Sequence, residues 1–261
     1  MNYFTAGIYG DYKAYEKMKR LLGKEDKLWI LGDVLDGNDE HPEMCIRILE
    51  DIMQSENVSL VLGDHEYFHA MRLFSELEGD EDDGEEEDIW TNEIYNCEYS
   101  GGPLVEYIKN TLSQSEKEDI ANYLSSLDVS DLCIINGRLF YLCHGAPSMM
   151  EERESQWQYK IVTGRIDFYK SYGRDMGSDI RFPYFSKYYG IRRSDLENAI
   201  IISGQDFTPQ LENEGEDVED GIVFNNKIMC INSGASANNG QPHIVVGIDA
   251  AGWQTFEVGG N

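Results

Sequence analysis

Apolar runs alternate with amphipathic segments over the first part of the chain. Short apolar runs at 3–8, 27–31 and 58–62 predict buried strands. The segments between them, 11–22 and 42–53, repeat apolar residues at helical spacing and predict helices. Strands separated by helices indicate a parallel sheet with right-handed crossovers. Ligands bind beyond the carboxyl ends of the strands in such sheets, so the loops after these strands are candidate sites.

The second half of the chain is richer in strand patterns. Ser115 followed by Glu118 predicts a capping box at the start of a helix that runs to 127. Asn136-Gly137 lies between two apolar runs and predicts a hairpin. Further strand-like runs cover 199–202, 221–224, 227–231, 243–248 and 253–258. We therefore expect the second half to add a mostly antiparallel sheet.

Acidic residues outnumber basic ones, 49 against 21, which gives a net charge of −28. A field of this sign opposes binding to nucleic acid or to an anionic membrane, because a stripe of Lys and Arg is missing. Two acidic runs, at about 78–88 and 212–220, are interpreted as solvated loop insertions in a single domain that spans 1–261. A calcium site or a docking surface for a basic partner is the alternative for these loops.

The compartment is predicted from features that the chain lacks. No apolar run approaches the roughly 18 residues of a membrane span. The first residues carry no pattern of a secretory signal. The five cysteines are scattered and form neither a disulfide framework nor a CxxC metal pair. A cytoplasmic protein with reduced thiols is expected.

Residues suited to bind a metal follow several of the predicted strands. They occur in Gly32-Asp33-Val34-Leu35-Asp36, Gly63-Asp64-His65-Glu66, His144-Gly145 and Gly204-Gln205. Carboxylate oxygen and imidazole nitrogen suit Mn, Fe or Zn. Because the ends of neighbouring parallel strands meet at one edge of a sheet, these segments predict a divalent metal site there.

In this order the motifs resemble the calcineurin-like metallophosphoesterases, in particular the phosphoprotein phosphatase branch in its short prokaryotic and phage form. The family pattern runs D-x-H-G, G-D-x-x-D-R-G, G-N-H-E, H-A/G, G-H-T-P and D-T-G-A. The corresponding segments here are Gly7–Gly10, Gly32–Gly37, Gly63–Glu66, His144-Gly145, Gly204–Pro209 and Asn232–Ala235. The resemblance covers nearly the whole chain. It implies an α/β fold, a β-sandwich of mixed sheets flanked by helices, and a two-metal phosphoester hydrolase.

The resemblance also implies roles for individual residues. The implied metal ligands are Asp33, Asp64, His144 and Gln205. Asp33 would bridge the two ions. His65, oriented by Asp36, would be the general acid that protonates the leaving oxygen. The resemblance also implies that Arg165 corresponds to the family's second phosphate-binding arginine.

The first metal site departs from the family pattern. Gly7 and Tyr9 stand where the pattern has Asp and His, so this site loses two of its three protein ligands. Gly37 stands in place of the arginine after Asp36, which removes a bidentate phosphate contact. These substitutions indicate a weakened centre.

The second metal site differs too. Gln205 replaces a histidine and is a weaker ligand, whereas Asp64 replaces an asparagine and adds a carboxylate. We expect one ion rather than two, bound by Asp33, Asp64, His144 and Gln205. A second ion would require Asp11 or Asp206 to reach the first site.

Two functions from different classes remain open. The first is a metal-dependent phosphatase or phosphoesterase with a weakened or single-metal site. Its substrate would be phosphorylated, either a phosphoprotein or a nucleotide. The second is a catalytically inactive pseudo-phosphatase that acts as a binding or regulatory module. The retained Asp36 and His65 pair favours the enzyme, and the lost first motif favours the module.

A zinc-peptidase motif is a rival interpretation, since residues 65–69 read H-E-x-x-H. We expect His65 in a loop directly after a strand, which disfavours two helical zinc ligands. His69 is interpreted as an ordinary surface or packing residue. Cys143 lies in an apolar run, where a buried thiol is inert.

Overall fold

The computed structural model describes residues 1–78, 102–145, 199–207, 218–220, 222–225, 228–236 and 239–260. Its helices are α1 (Tyr12–Lys19), α2 (Glu43–Gln54), α3 (Asp64–Glu78), α4 (Pro103–Thr111) and α5 (Gln114–Ser126). Its strands are β1 (Asn2–Thr5), β2 (Lys27–Leu31), β3 (Val58–Val61), β4 (Ser130–Ile135), β5 (Arg138–Cys143), β6 (Ile200–Phe207), β7 (Val218–Glu219), β8 (Ile222–Asn225), β9 (Ile228–Asn232), β10 (Pro242–Ile248) and β11 (Trp253–Gly259). None of these helices is long and apolar enough to cross a membrane.

The first sheet has five strands in the order β11-β10-β1-β2-β3. β1, β2 and β3 are parallel neighbours, as the alternation of strands and helices predicts. The β10–β11 hairpin extends the sheet antiparallel from β1. The sheet is therefore mixed, and its parallel part carries the loops after β1, β2 and β3 to one edge.

The second sheet has six strands in the order β4-β5-β6-β9-β8-β7. Its central neighbours β5, β6 and β9 are parallel, and the outer pairs are antiparallel. Most strand pairs of the second half are antiparallel, as expected, but this centre is parallel, and β10 and β11 belong to the first sheet. A tight turn identifies only the pair that it joins, and the long connections on both sides of β6 allow parallel pairing.

Two apolar cores hold the layers together. One lies between the sheets, where Phe4 and Leu31 of the first sheet join Leu142 and Ile202 of the second. The other lies on the opposite face of the first sheet, which the helices cover. The fold is thus the β-sandwich of mixed sheets flanked by helices that the sequence predicts.

The start of α5 differs from the prediction by two residues. Ser113, not Ser115, is the N-cap, and its partner in the capping box is Glu116. The Glu116 carboxylate accepts the backbone N–H of Ser113 at 2.7 Å. Two overlapping Ser-x-x-Glu pairs fit the same stretch of sequence, so the pattern alone does not choose between them.

Candidate metal centre

Three buried or largely buried ligands meet at the carboxyl ends of the strands. Asp33 follows β2, Asp64 begins α3 directly after the β3 loop, and His144 follows β5. One ligand atom from each lies within 4.8 Å of the others. Both sheets therefore contribute to a single cluster, at the edge where the sequence predicts a metal site.

The imidazole of His144 is held in the orientation that a metal ligand needs. Its Nδ1 donates to the carbonyl oxygen of Leu31 at 2.7 Å, which leaves the lone pair on Nε2. Nε2 lies 3.3 Å from Asp33 Oδ1 and 3.4 Å from Asp64 Oδ1. Among the described residues, neither His144 Nε2 nor Asp33 Oδ1 has a hydrogen-bond partner, although both atoms are buried. A divalent cation would satisfy both atoms, so the residues fit a metal ion.

The electrostatics of the cluster also favour a bound cation. Burial raises the pKa of Asp33 to about 7, against the opposing charge of His144. For Asp64, burial is outweighed by the neighbouring His144, whose Nε2 lies 3.4 Å away, and the pKa of Asp64 is lowered. Two carboxylates at one buried point repel each other, and a divalent ion between them would offset both the repulsion and the cost of burial.

Tyr9 occupies the other side of Asp33. Its hydroxyl donates to Asp33 Oδ2 at 2.7 Å. The carboxylate expected to bridge two ions therefore has one oxygen bound to a phenol and one that faces the cluster. Burial, followed by the charge of Asp33, raises the pKa of Tyr9 far above its usual value, so the phenol keeps its proton and acts as a donor.

The glycines at positions 7 and 37 are packed against Tyr9. A Cβ on Gly7 would lie 2.8 Å from Tyr9 Cε2 and 2.7 Å from Asn232 Oδ1. A Cβ on Gly37 would lie 2.5 Å from Tyr9 Cβ. Both glycines also have positive φ, +61° and +71°, which disfavours a side chain. The three departures from the family pattern are therefore one structural feature built around the Tyr9 ring.

Asp36 is shared by two histidines. His65 Nδ1 and His69 Nε2 each lie 2.8 Å from Asp36 Oδ2. The expectation of a loop at His65 is wrong, because α3 begins at Asp64 and places the histidines one turn apart. His69 is buried rather than a surface residue, and its contact with Asp36 is not apparent from the sequence. Both rings face a carboxylate, and the group with metal-ligand spacing within the described ranges is Asp33, Asp64 and His144 instead.

The surrounding carboxylates favour the protonated form of His65. Burial lowers its pKa, but the charge of Asp33 and the hydrogen bond to Asp36 outweigh burial and raise the pKa to about 9. The pKa of Asp36 is lowered in turn, because the hydrogen bonds from both histidines outweigh its burial. This pair can hold a proton beside the metal cluster at neutral pH.

Glu66 holds the loop that carries Asp33. Its side chain is fully buried and accepts four backbone N–H groups. Oε2 accepts from Asp33 at 2.8 Å and Gly63 at 3.2 Å, and Oε1 accepts from Val34 at 2.8 Å and Leu35 at 3.0 Å. The zinc-peptidase interpretation would make Glu66 a catalytic base, whereas its contacts with this loop are not apparent from the sequence. The sequence feature that marks Glu66 as a residue of the candidate metal site is its position at the end of the Gly63–Glu66 motif.

Several predicted residues are not part of the observed cluster. Arg165 and most of both acidic runs lie outside the described residues, as does the side chain of Gln205, whose backbone is in β6. Asp11 caps α1 through the N–H of Ala14 at 2.9 Å and lies 3.3 Å from His243, so it does not belong to the cluster. Cys143 is buried, as expected.

A known protein family matches most of the chain. The family model described as calcineurin-like phosphoesterase matches residues 8–194. No curated protein matches the chain.

Three solved structures are similar to the chain. One is a metallophosphoesterase from Sphaerobacter thermophilus, with 13% identity, a TM-score of 0.48 and coverage of 100% of this chain and 88% of that chain. Another is a protein serine/threonine phosphatase from Saccharomyces cerevisiae, with 15% identity, a TM-score of 0.49 and coverage of 98% and 79%. The third is a hypothetical protein from Pyrococcus horikoshii OT3, with 15% identity, a TM-score of 0.47 and coverage of 100% and 89%.

Proposed function

Because the chain belongs to the calcineurin-like phosphoesterase family, we propose that it hydrolyses phosphoesters with one divalent ion held by Asp33, Asp64 and His144. The observation that carries this proposal is the pair of buried atoms without partners, Asp33 Oδ1 and His144 Nε2, which face one another and Asp64. Mn, Fe or Zn suits this mixture of oxygen and nitrogen ligands. The side chain of Gln205 is proposed as a further, weaker ligand.

The protein side chains divide the chemistry between them. A bound divalent ion would polarise the phosphoryl oxygens and activate water. The carbonyl of Leu31 orients His144, and Glu66 fixes the loop of Asp33. His65 would give its proton to the leaving oxygen, and Asp36 holds the imidazole ring in place for that transfer.

His69 is proposed as a positioning residue for this acid. It binds the same Asp36 oxygen as His65, at the same distance of 2.8 Å. His69 is buried on α3 and contacts the Asp36 carboxylate, but it is not part of the Asp33, Asp64 and His144 cluster. Its expected effect is therefore on the orientation of His65.

The substrate is proposed to be a phosphorylated molecule, a phosphoprotein or a nucleotide. Gly37 leaves the family's arginine contact unfilled, and Arg165 is proposed to bind the phosphate instead. A phosphate held by fewer cations would bind weakly, so we expect a high KM for a small aryl phosphate.

A pseudo-phosphatase is the second candidate, and one contact favours it. The Tyr9 hydroxyl binds the Asp33 oxygen that a second ion would use. A centre closed in this way could retain one structural ion and bind phosphorylated partners without turnover. The acidic runs would then act as partner-binding loops.

Metal content and turnover of the full chain distinguish these candidates. We expect at most one tightly bound ion per chain by elemental analysis, and none in Asp33→Asn. On p-nitrophenyl phosphate, His65→Ala should lower kcat by ~10²–10⁴, the usual contribution of acid–base catalysis. His41→Ala is the matched control, since the His41 side chain is exposed, lies 3.1 Å from Glu43 and is not part of the Asp33, Asp64 and His144 cluster. One ion without turnover would favour the pseudo-phosphatase, and two tight ions would contradict the single-metal proposal.

A further inference from the structure

A cavity of about 600 Å³ opens between the beginnings of α1 and α2. Residues 10–14 and 17 form one wall, and residues of the 38–47 segment form another. Gly240, Gly259 and Gly260 close the remaining side. Each of these glycines has a positive φ and contributes no side chain, so backbone borders this part of the cavity. The volume is in the range of sites that hold small molecules.

The side chains that line this cavity carry an excess of positive charge. Lys13 and Lys17 lie one turn apart on α1, and Arg47 extends from α2. All three are exposed, and no carboxylate of the described segments forms an ion pair with them. The guanidinium of Arg47 lies 4.3 Å from the ring centre of Tyr12, a cation–π contact that limits its freedom.

The negative groups of the cavity do not cancel this charge. Asp11 accepts the N–H of Ala14 and lies 3.3 Å from His243, so its carboxylate is already engaged. Glu40 is the other carboxylate among the lining residues. The chain as a whole has a net charge of −28, and its surface therefore repels anions. Three cations against two carboxylates leave the lining of this cavity with one net positive charge, in contrast to the negative charge of the chain as a whole.

The loop that contains Tyr9 and Gly10 contacts both the cavity and the metal cluster. The N–H of Gly10 donates to the carbonyl of Val34 at 2.9 Å, and Asn38 Nδ2 donates to the carbonyl of Gly10 at 2.9 Å. Tyr9, the residue before Gly10, binds Asp33 of the metal cluster. One short loop thus separates the cluster from the cavity.

We propose that this cavity is a second anion-binding site, which takes a polyphosphate group. Lysine ammonium groups act as compact point charges for phosphate, and arginine adds a planar fork that binds two oxygens. The three cations come from two helices, and a chain of phosphates carries several negative charges that can pair with more than one of them. The site goes beyond phosphoester hydrolysis, because binding here needs neither the metal ligands nor turnover.

Calorimetric titration of the full chain with inorganic tripolyphosphate tests the proposal. We expect saturable binding that weakens as salt is added. The double variant Lys13→Gln/Lys17→Gln and the single variant Arg47→Gln should each weaken binding by roughly 10–100-fold, as expected for hydrogen bonds to charged groups. The control is Arg20→Gln/Lys24→Gln, which removes two positive charges from the same region of sequence but outside the cavity lining. It should change the affinity less than about twofold, since long-range charge effects are screened.

Two further measurements show whether binding depends on the metal ligands and whether the bound polyphosphate belongs to a nucleotide. Asp33→Asn should keep its affinity for tripolyphosphate, so loss of hydrolysis would not be mistaken for loss of this site. ATP should compete with tripolyphosphate if the phosphates of a nucleotide are the source, and failure to compete assigns the site to inorganic polyphosphate. Absence of saturable binding would overturn the proposal. So would equal losses in the cavity and control variants, or binding that disappears only in Asp33→Asn.

Discussion

Glu66→Gln is the substitution that most directly tests how the candidate metal centre is held together. The Glu66 carboxylate accepts two backbone N–H groups on each oxygen, from Asp33, Val34, Leu35 and Gly63. Glutamine has nearly the same shape but presents an NH₂ group in place of one oxygen. Whichever way the amide turns, one pair of buried N–H donors faces another donor.

The expected cost follows from that count. A buried donor without an acceptor costs about 1–3 kcal/mol, so two of them cost roughly 2–6 kcal/mol. Typical domains have unfolding free energies of about 5–15 kcal/mol, so the variant should be severely destabilised. Because each pair includes an N–H group of the loop that carries Asp33, metal affinity should fall together with stability.

Urea unfolding of the metal-free protein measures the first effect, and metal titration measures the second. The control is Glu118→Gln, which makes the same chemical change on the exposed face of α5. It should change the unfolding free energy by less than about 0.5 kcal/mol. Comparing the two variants removes the effect of the lost charge itself.

Equal stability of Glu66→Gln and Glu118→Gln would refute the reasoning. A stable Glu66→Gln protein that had lost only its activity would instead fit a catalytic base, the role of this glutamate in the zinc-peptidase interpretation. The same two measurements therefore separate a structural anchor from a catalytic group.

Three further outcomes are expected. His69→Ala should lower kcat about 10–100-fold with little change in KM, and His69→Gln should restore part of the lost kcat by donating to Asp36. A positioning role would be contradicted if both variants had the same reduced kcat and KM changed by the same factor as kcat. Partial burial of Asp51 is outweighed by hydrogen bonds from Lys19 and Tyr15, so its pKa is lowered in the folded state. Asp51→Asn should therefore be less stable than the parent near pH 7, and the difference should disappear as pH falls below about 4, which urea unfolding across pH can measure. Gly37→Ala should lower the melting temperature, because of its positive φ and the 2.5 Å contact that a Cβ would make.

The sequence predicts those features that depend on local pattern and on the ends of strands. The parallel unit of β1, β2 and β3 follows from alternating apolar runs, and it places Asp33 and Asp64 at one edge. The pairing of β6 with β5 and β9 was missed, because strands that are distant in sequence carry no mark of their direction.

The contacts of single side chains were harder to predict. Nothing in the sequence spacing of His69 and Glu66 shows that they face Asp36 and the loop after β2. Their roles depend on where that loop passes over α3, which is set by tertiary packing. The H-E-x-x-H pattern thus marks a real pair of helical histidines, and in the structure both rings contact the Asp36 carboxylate.

The altered first motif is best understood as one linked change rather than as independent losses. Tyr9 fills the space that side chains at positions 7 and 37 would need, and its hydroxyl binds Asp33 in turn. Restoring the family's residues singly should therefore fail: a side chain at position 7 meets Tyr9 and Asn232, and one at 37 meets Tyr9. Replacing Tyr9 alone would open a space beside Asp33 and leave its Oδ2 without a donor, at a cost of about 1–3 kcal/mol. We therefore expect that a chain with these contacts cannot reach a two-metal centre through stable single substitutions, because the Tyr9 phenol on Asp33 would restrict the centre to one ion.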